Sequence, residues 1–542
     1  MPTMSTFFIL VGLTFVVLAA YYFARKGIYS GDVDKDAATL ARYSRDVSIF
    51  AMEPEAVYYP KSVKDIVYLV ERTAHLKQSN PAMSVTVRAG GTCMSGGSLG
   101  TGAVIDMTRH LHRVSIDPVA KTATVEAGAY FRDIEDTAAV HGLMFAPYPS
   151  SRRICGIGGM IGNNASGEKS IRYGATGDNI LQLEVVLADG TVTTLQAKPA
   201  ATATGVREQA LVQLAHKHGA ALAHAVGAVK KAASGFRLDK VLVDGTFNAI
   251  PLFAGSQGTL GIVTKAVLQL VPVPEHKALI VISAHQLEDI PVMVDTIFQW
   301  NPEAIETFDC NTFAKACEHL PEHANRLLPY VDADATVFML AEFSESTREA
   351  TDAKAAGCFE ALTARGYTVR SVTSDTDSAS IWEVRRNSFL LMRDHNPVGY
   401  IAVPCIEDVI VPVPALALFI QSLHQILNRR QINYGFHGHI GDGSLRIVPV
   451  FNAHSPTLMA DITGLMTEVF AVVKQLQGNI SADHSDGIIR TPFLADFYGV
   501  ELLAAFAQIK QLYDPKNILN PGKKVGFTKD DLVGLLDTAL IQ

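Results

Sequence analysis

The pattern of apolar and polar residues changes abruptly near the start of the chain. Residues 6–24 are almost entirely apolar and carry no charge, and as a helix they would span about 28 Å, close to the hydrocarbon thickness of a bilayer. Aromatic residues at 21–23 end this run, and Arg25 and Lys26 follow it, as in a helix with an interfacial aromatic belt and a cytosolic basic flank. We therefore expect a single-pass membrane anchor with the body of the chain in the cytoplasm, at the inner membrane if the source is bacterial. The alternative, a cleaved signal peptide, would place positive charge before the apolar run.

Beyond this run, strand-like and helix-like patterns alternate. A helical pattern covers 63–75 with Ser62 as its N-cap, and strand-like segments at 181–187 and 191–195 with a turn between them predict a hairpin. From about 275 strands and helices alternate, which predicts an α+β cap. The resulting division is an anchor at 6–24, a polar linker at 25–50, a first domain at 51–274, a second domain at 275–525 and a tail at 526–542.

Two glycine clusters interrupt these patterns in the first domain. Residues 156–179 contain seven glycines among 24 residues, and a second cluster at 88–97 lies between the strand-like segments 85–87 and 103–107. Glycine at this density lets the backbone pass close to a bulky group, and exposed N–H groups in such a turn can bind an anion. A linker and a plain hairpin turn are the alternatives, but a linker would lack the apolar residues of the first cluster. No helical pattern follows the second cluster, so it is not a dinucleotide fingerprint. Two clusters in one domain favour a nucleotide cofactor.

The glycine clusters and a third segment resemble one flavoprotein family. The segments are, in chain order, RAGGTCMSGG at 88–97, PSSRRICGIGGMIGNNASG and YGATGDN within 149–179, and FAGSQGTLGIVT at 253–264. They are similar to the FAD-binding segments of the vanillyl-alcohol oxidase/PCMH superfamily, in its branch of FAD-linked 2-hydroxyacid dehydrogenases. That branch includes D-lactate dehydrogenases, the glycolate oxidase flavin subunit and D-2-hydroxyglutarate dehydrogenase, and the similarity covers residues 40–525. It implies an α+β fold: a two-lobed PCMH-type FAD-binding domain and an α+β cap domain with a C-terminal helical segment.

The resemblance also implies which residues contact FAD, held without a covalent bond. Gln257 stands where the branch usually has glutamate. The implied contacts lie in these segments and in a turn-rich segment near the C-terminus, and they are Arg88, Gly90, Gly91, Thr92, Ser95, Gly96, Gly97, Pro149, Ser150, Gly158, Gly159, Gly162, Asn163, Asn164, Ser166, Gly167, Tyr173, Gly174, Gly258, Gly261, Ile262 and Asn520.

Two late motifs resemble the branch's substrate site. They are GHIGDGSLR at 438–446 and GNISADHSDGIIRTP at 478–492. In the branch, two histidines of the first motif and a glutamate of the second bind a divalent metal, and the histidine after that glutamate is the general base. Carried over, the resemblance makes His439 the first ligand and His484 the base, with Asp483 in place of the glutamate and Arg446 in the second histidine's position.

Arg446 changes what this site can do. Arginine is not a metal ligand, and His439 with Asp483 alone is too few for a firm zinc site. His437, two residues before His439, is a substitute on the same face of a strand. The sequence therefore leaves a zinc or manganese ion at His439 and Asp483 open. Our hypothesis is that Arg446 binds the substrate carboxylate and lowers the cost of the developing alkoxide, and the alternative is a salt bridge to Asp442 or Asp483.

A third segment, IWEVRRNSF at 381–389, resembles the cap segment whose arginine binds the substrate carboxylate. Arg385 corresponds best to that arginine, because a planar guanidinium suits bidentate carboxylate binding. Arg386 is the alternative register, and an exposed helical arginine is the alternative role. Phe389 and Ala402 stand where 2-hydroxyglutarate enzymes would be expected to carry polar residues, which favours a monocarboxylate such as lactate.

The composition restricts the partners. A net charge of −8 argues against nucleic acid. The six cysteines include no Cys-x-x-Cys pair, which argues against a structural zinc or an iron–sulfur cluster. Without a nicotinamide fingerprint or a cluster, electrons from reduced FAD must go to an outside acceptor, and the expected anchor in the lipid bilayer favours a quinone or another membrane partner.

Oxidation of a 2-hydroxy acid requires that its carboxylate is held, its hydroxyl proton removed and its C2–H directed at the flavin. The sequence therefore predicts a membrane-anchored flavoprotein that oxidises a D-2-hydroxy acid, D-lactate first, with His484, Arg385 and Arg446 as the catalytic residues. Three alternatives stay open. They are an oxidase that uses O₂, a dehydrogenase of another alcohol such as glycolate, 2-hydroxyglutarate or a sugar, and a flavin-binding subunit without its own catalysis.

Overall fold

The computed structural model describes residues 29–540 of the 542-residue chain. Within that range, no helix is both long enough and apolar enough to cross a bilayer. The expected anchor at 6–24 lies outside the described residues.

The first lobe is a small sheet with two helices. Its elements are β1 Asp32–Asp34, α1 Ala37–Tyr43, β2 Ala56–Tyr59, α2 Val63–Leu76, β3 Val85–Arg88 and β4 Ala103–Asp106. The strand order is β1-β2-β4-β3, with β1 antiparallel to β2 and the other pairs parallel. The Ser62 side chain accepts a hydrogen bond from the N–H of Asp65 at the start of α2, which confirms the predicted helix and its N-cap.

Residues 29–50 belong to this lobe, so the structure differs from the expected linker at 25–50. Strand β1 pairs with β2, and both the hydroxyl and the N–H of Ser30 donate to the carboxylate of Asp65. The polar side chains that predict a linker here are used in pairing and capping instead. The chain is therefore fixed to the folded body from residue 29 onward.

The second lobe is built on a five-stranded antiparallel sheet. Its elements in chain order are β5 Val114–Asp117, β6 Thr122–Glu126, α3 Phe131–Ala139, β7 Leu143–Met144, α4 Ile157–Asn163, α5 Ser170–Tyr173, β8 Ile180–Val186, β9 Val192–Leu195, β10 Lys198–Pro199, α6 Val206–Val226, β11 Leu242–Val243, β12 Thr246–Phe247, α7 Ile250–Phe253, β13 Ile262–Gln269 and β14 Val271–Pro272. The sheet order is β5-β6-β13-β8-β9, and β8 with β9 is the predicted hairpin. The glycine-rich stretch begins against the end of β6, where the N–H groups of Ile157 and Gly158 donate to the carbonyls of Ala129 and Ala127.

The cap is a large antiparallel sheet covered by helices. Its elements are β15 His276–Ala284, α8 Ile290–Phe298, β16 Ala304–Asp309, α9 Cys310–His319, α10 Pro321–Leu327, β17 Val337–Glu345, α11 Arg348–Thr363, β18 Thr368–Val372, α12 Asp375–Arg386, α13 Ser388–Asp394, β19 Tyr400–Ala402, β20 Val409–Ile410, α14 Leu416–Arg429, β21 Asn433–Gly438 and β22 Ser444–Asn452. The order is β18-β15-β17-β16-β21-β22-β19, and β20 also pairs with β22.

Both faces of the cap sheet are buried. Successive side chains of a strand point to opposite faces, and in the cap strands the two sets of side chains lie in different apolar clusters. Phe308 and Leu340 lie in one apolar cluster with Trp382 of α12, whereas Ile305 and Ala341 lie in the main core. Strand β16 is buried along its whole length. This strand carries a carboxylate into the site described below.

The C-terminal segment returns to the first lobe. Its helices are α15 Leu458–Gln475, α16 Gly487–Arg490, α17 Leu494–Tyr498 and α18 Val500–Tyr513. After α18, the carbonyl of Ile518 accepts from the N–H of Val85 and the N–H of Asn520 donates to the carbonyl of Val85. The predicted tail packs too, since the carbonyl of Leu535 accepts a hydrogen bond from the N–H of Ala51.

Candidate active site

An open cleft lies where the glycine clusters of the two lobes meet. Eleven of the predicted FAD-contacting residues line it: Arg88, Gly90, Gly91, Thr92, Gly97, Gly158, Gly159, Gly162, Asn163, Gly258 and Gly261. Among residues 29–540, the backbone N–H groups of Gly91, Thr92 and Cys93 donate to no other group. Free N–H groups in a turn form the anion nest that a pyrophosphate requires.

The cleft has glycine at these positions for two different reasons. A Cβ on Gly90 would lie 2.4 Å from the carbonyl oxygen of Ile154, so the protein itself requires glycine there. A Cβ on Gly159 or Gly162 would meet no protein atom closer than 3.8 and 3.6 Å, respectively. At these two positions of α4 the protein alone would tolerate a side chain. The missing side chains leave room for what the cleft holds.

The other predicted cofactor residues lie behind or beside the cleft rather than on its lining. Asn520 is buried beneath it, where its amide donates to the carbonyls of Gly97 and Gln257. The Ser166 hydroxyl faces Asp483 of the cap. The predicted residues that do not line the cleft are Ser95, Gly96, Pro149, Ser150, Asn164, Ser166, Gly167, Tyr173, Gly174, Ile262 and Asn520.

Gln257 lines the cleft and joins it to the cap, a role that the sequence analysis did not assign. Its amide nitrogen donates to the Ser95 hydroxyl at 3.1 Å and to Asn163 Oδ1 at 3.0 Å. Its amide oxygen accepts from the N–H of Gly487 at 2.8 Å. The position of Gln257 between two glycines in FAGSQGTLG is the only sequence signal for this role.

These contacts fix the loop that carries His484 against the cleft. The Ser95 hydroxyl donates to the His484 carbonyl at 3.2 Å, and the hydroxyl of Ser485, a residue with φ of 60°, donates to the carbonyl of Gly255 at 2.7 Å. Gly487, also at positive φ, packs so closely on Ser95 that a Cβ would lie 2.0 Å from its carbonyl oxygen. The loop therefore places the predicted base beside the cofactor cleft.

Arg446 of β22 is the centre of the site. Its Nη1 lies 3.0 Å from His484 Nε2, and its Nη2 lies 3.0 Å from His439 Nε2. Nη2 also donates to Asp483 Oδ1 at 2.9 Å and Oδ2 at 3.1 Å. All four residues are buried. The structure thus brings His439, Arg446, Asp483 and His484 together. Arg446 makes the salt bridge to Asp483 that the sequence analysis treats as the alternative to its binding the substrate carboxylate.

The tautomers of both imidazoles follow from this arrangement. A guanidinium can only donate, so the Nε2 that faces it on each neutral ring accepts and the ring proton is on Nδ1. His439 Nδ1 lies 2.7 Å from Glu306, and His484 Nδ1 lies 2.7 Å from Glu407. A carboxylate therefore fixes each ring, which is the arrangement that orients histidine ligands around metals.

Arg385 and Arg386 have different environments, which distinguishes the two registers. Arg386 makes a bidentate pair with Glu168 through Nε and Nη2, at 3.0 and 2.7 Å. Arg385 is buried with its Nη2 2.5 Å from Glu306, yet among the described residues neither its Nε nor its Nη2 has a hydrogen bond of good geometry. Arg385 therefore has buried donors to offer a ligand, whereas the Nε and Nη2 of Arg386 are already paired with Glu168.

Lys231 belongs to the site although the sequence analysis did not identify it. It lies between α6 and α7 of the flavin-cleft domain, and its Nζ is 3.1 Å from Asp442 and 3.3 Å from Asp483. Nζ also donates to the hydroxyls of Ser166 and Ser170, at 2.7 and 3.0 Å. An alanine-rich segment gives no signal that one lysine of a Lys-Lys pair turns inward.

The donor set around Arg446 does not fit a metal ion. The atoms that would ligate one, His439 Nε2 and both oxygens of Asp483, already contact a guanidinium or an ammonium group. His437 of β21 is paired with Arg446 of β22. In the described structure it does not contact Asp483, so it does not complete a set of three ligands with His439 and Asp483. Among the described residues, Glu407, Asp408 and His484 are the side chains whose possible ligand atoms lie close enough together to hold one metal ion. There, however, His484 Nδ1 already bonds to Glu407.

The charges set the protonation of the histidines. Burial, and then the positive charges of Lys231 and Arg446, hold the pKa of His439 well below its ordinary value. Burial also acts to lower the pKa of His484, but the carboxylates of Glu407 and Asp408 outweigh it and raise that pKa above its ordinary value. His439 is therefore a neutral acceptor, whereas the surroundings of His484 favour its protonated form more than water does.

Two family descriptions match the chain. The description "FAD binding domain" covers residues 54–196, and "FAD linked oxidases, C-terminal domain" covers residues 273–524. The chain belongs to the FAD-linked oxidases. Its cofactor is FAD, and the first match spans both glycine clusters that line the cleft of this FAD-linked oxidase.

Curated relatives agree with this family. The D-2-hydroxyglutarate dehydrogenases of Haemophilus influenzae and Escherichia coli are each 26% identical, over 94% and 91% of this chain and 52% and 50% of their own length. The glycolate oxidase subunit GlcD of Bacillus subtilis is 28% identical, over 92% of this chain and 94% of its own length. The chain thus spans about half the length of these two dehydrogenases.

Solved structures show the same fold. The 4-ethylphenol oxidase of Gulosibacter chungangensis superimposes with a TM-score of 0.67 at 17% identity, over 92% of this chain and 95% of that one. p-Cresol methylhydroxylase gives 0.66 at 16% identity, over 91% and 93%. These identities establish the fold alone. They confirm the predicted PCMH-type flavin domain with its α+β cap.

We predict that Gly162→Leu removes FAD from the protein without unfolding it. A Cβ at 162 meets only ordinary contacts, but a longer side chain would fill the cleft, and overpacking of this kind costs enough to reduce flavin content to about a tenth or less. The measurement is the ratio of flavin to protein absorbance, with the melting temperature of the apoprotein. Gly219→Leu, also in a helix but with open space around its Cβ, is the control and should keep its flavin. Full flavin content in Gly162→Leu would contradict this assignment of the cleft.

Proposed function

We propose that this FAD-linked oxidase oxidises a D-2-hydroxy acid to the 2-oxo acid. The observation that carries the proposal is the convergence of His484, Arg446 and Arg385 beside the FAD cleft. These side chains supply the base and the cations that a 2-hydroxy acid requires. The names of the curated relatives, D-2-hydroxyglutarate dehydrogenase and glycolate oxidase, support the same substrate class.

His484 acts as the base. The substrate hydroxyl takes the place of Arg446 Nη1 at His484 Nε2, which accepts the hydroxyl proton. The Nδ1 stays bonded to Glu407, which holds the ring in place. Arg446 stabilises the oxygen as it loses its proton, because a buried guanidinium favours developing negative charge. FAD, when bound, accepts the hydride from C2.

Arg385 binds the substrate carboxylate. Its Nε and Nη2 are buried and lack well-formed hydrogen bonds, and its neighbour Glu306 is the competing anion. Burial raises the pKa of Glu306 to about 8, against the attraction of Arg385. Near neutral pH, a proton on the Glu306 oxygen that faces Arg385 therefore releases the guanidinium to bind the substrate.

The surroundings favour a small substrate side chain, with D-lactate as the first candidate. Ala402 and Phe389 pack with Met392, Val448 and Val450 in one apolar cluster. Val448 follows Arg446 on the same face of β22, since side chains two residues apart in a strand share a face. The side chains of this apolar wall have no hydrogen-bonding group to offer a second carboxylate of the substrate.

Substrate identity is measured by anaerobic reduction of the flavin. D-lactate should bleach the flavin faster than L-lactate, glycolate, D-2-hydroxyglutarate or malate, because it has one carboxylate and a methyl group that suits the apolar wall. Faster bleaching by D-2-hydroxyglutarate or glycolate would replace D-lactate and keep the reaction class. Peroxide formed in proportion to turnover in air would indicate an oxidase, and no bleaching by any of these acids in FAD-loaded protein would contradict the proposal.

His484→Gln should lower kcat about 10²–10⁴-fold, because it removes the general base, while FAD stays bound. The control is His424→Gln, which changes a histidine that lies on α14 and bonds to Tyr434; it should retain full turnover. Unchanged turnover in His484→Gln removes this residue from the mechanism.

The wild-type pH profile should have two limbs. kcat/KM should rise with pH as His484 loses its proton, above the ordinary value of about 6.5 because the pKa is raised. It should fall above about 8 as Glu306 ionises and competes for Arg385. Glu306→Gln should flatten the alkaline limb and leave the acid limb in place, and an unchanged alkaline limb would show that Glu306 does not compete.

We also propose that residues 6–24 anchor the enzyme and that a membrane quinone accepts its electrons. The support is the uncharged apolar run with its basic flank. The full chain should then sediment with membranes after a high-salt wash, and a chain starting at residue 29 should not. Strong activity of a periplasm-only reporter fused to the C-terminus would reverse the proposed orientation.

A further inference from the structure

We propose that the guanidinium of Arg446 and the ammonium of Lys231 together take the place of a divalent metal ion, so that this enzyme works without one. The inference rests on the proposed function only where turnover is measured. Lys231 is, on this view, a positioning residue that acts on the substrate through Asp483. The argument has three steps, and each uses contacts of buried groups.

The first step is the way two cations share the Asp483 carboxylate. Arg446 Nη2 lies 2.9 Å from Oδ1, and Lys231 Nζ lies 3.3 Å from Oδ2, which also accepts from the Ser166 hydroxyl at 2.7 Å. The Asp483 and Lys231 side chains are both almost fully buried. Two single charges on one carboxylate reproduce the double charge that a divalent ion would bring.

The second step is the direction of the histidine lone pairs. His439 and His484 both turn Nε2 toward Arg446, with Glu306 and Glu407 behind their Nδ1 atoms. Histidines that ligate a metal are oriented in this way by carboxylates. Here the group at the centre is a guanidinium, which satisfies the same acceptors by hydrogen bonds.

The third step is charge. A divalent ion at this point would lie close to Arg446 and Lys231, whose like charges repel it strongly in a buried site. The carboxyl groups that could offset it have partners of their own, since Glu306 lies against Arg385, Glu407 lies against Arg490, and Asp442 shares Lys231 with Asp483. Among the described residues, Asp408 has no cation in contact, but its oxygens accept from the Ser481 hydroxyl and from the N–H groups of Asp483 and His484. The groups that face Arg446 are therefore already matched by the chain's own cations and donors.

The alternative role for Lys231 is a simple tie between domains. Its Nζ comes from the flavin-cleft domain, and Asp442 and Asp483 come from the cap. A tie would affect stability and flavin content, whereas a charge that replaces part of a metal would affect metal affinity as well. The experiment has to separate these two effects.

The first measurement is the metal content of purified FAD-loaded wild-type protein, with its melting temperature in EDTA and in excess MnCl₂ or ZnCl₂. We expect far less than one equivalent of metal and no shift of melting temperature in either condition. Near-stoichiometric zinc or manganese, or destabilisation by EDTA, would overturn the proposal, whatever the substrate proves to be.

The second measurement uses Arg446→His, which replaces the central cation by a third metal-type donor beside His439 and Asp483. This variant should bind about one Mn²⁺ or Zn²⁺ by direct metal analysis, melt at a higher temperature in the metal, and regain turnover when the metal is added. Arg446→Ala, which leaves two donors, is the control and should bind no stoichiometric metal. Failure of Arg446→His to gain metal would show that the guanidinium does not stand in a metal's position.

The third measurement tests Lys231 by its charge. Lys231→Gln keeps a group that can bond to Ser166 but removes the positive charge, so in the Arg446→His background it should raise Mn²⁺ affinity about tenfold or more. Equal affinity in the single and double variants would assign Lys231 to a tie between domains and refute its part. If Lys231→Gln does not load FAD, Lys231→Met is measured in the same way, and the wild-type metal content still tests the proposal.

Discussion

The constraint on which the site depends is the buried carboxylate of Asp483. A desolvated carboxylate stays ionised only where cations or donors face it, and Arg446 of the cap and Lys231 of the flavin domain both contact this one. At an effective dielectric constant of 20, two unit charges 4 Å apart interact by about 4 kcal/mol, against about 1 kcal/mol net for an ordinary hydrogen bond. Separation of the cap from the flavin domain would leave Lys231 without its carboxylate partners and Asp483 with Arg446 alone. The contacts that close the seam between the domains are therefore the contacts that shape the candidate site.

The same constraint explains why the histidine rings have fixed orientations. Glu306 and Glu407 are each divided between a histidine on one oxygen and an arginine on the other, Arg385 and Arg490, respectively. Each of these carboxyl groups thereby has a partner on both oxygens, and each imidazole has one tautomer facing Arg446. These carboxylates lie outside the two motifs that carry the histidines. The protonation of the two histidines is therefore set by residues of the cap sheet and its loops, which no short motif reveals.

Sequence reasoning could find the residues of the site that lie in glycine-rich turns, because polar residues there have few structural explanations. His484 lies in such a turn and Arg446 follows one, at the start of β22. The PCMH-type fold is predicted from the resemblance of the glycine-rich segments to those of one flavoprotein family. Lys231 and Glu306 could not be found in this way. Lys231 lies in an alanine-rich segment and meets Asp483 across 252 positions of sequence, and Glu306 lies in a fully buried strand and meets His439 across 133. The polar stretch that predicts a linker at 25–50 is misleading for a related reason, since its polar groups are paired with the first lobe.

Gln257 shows how the balance of charge extends from the substrate site to the cofactor cleft. Its amide donates to Ser95 and Asn163 and accepts from Gly487, so it joins the cleft to the loop of His484. A glutamate, which resembling sequences usually carry here, could accept from Gly487 but could not donate to Asn163 unless it were protonated. As an anion it would also add a buried negative charge beside the His484 carbonyl, which already accepts from Ser95. In a site whose carboxylates are already matched by arginine and lysine, a neutral amide makes the same connection without a further cation. Gln257 and Arg446 both differ from the residues that the resembling family usually has at these positions. Both fit a site whose charges are balanced by the chain itself.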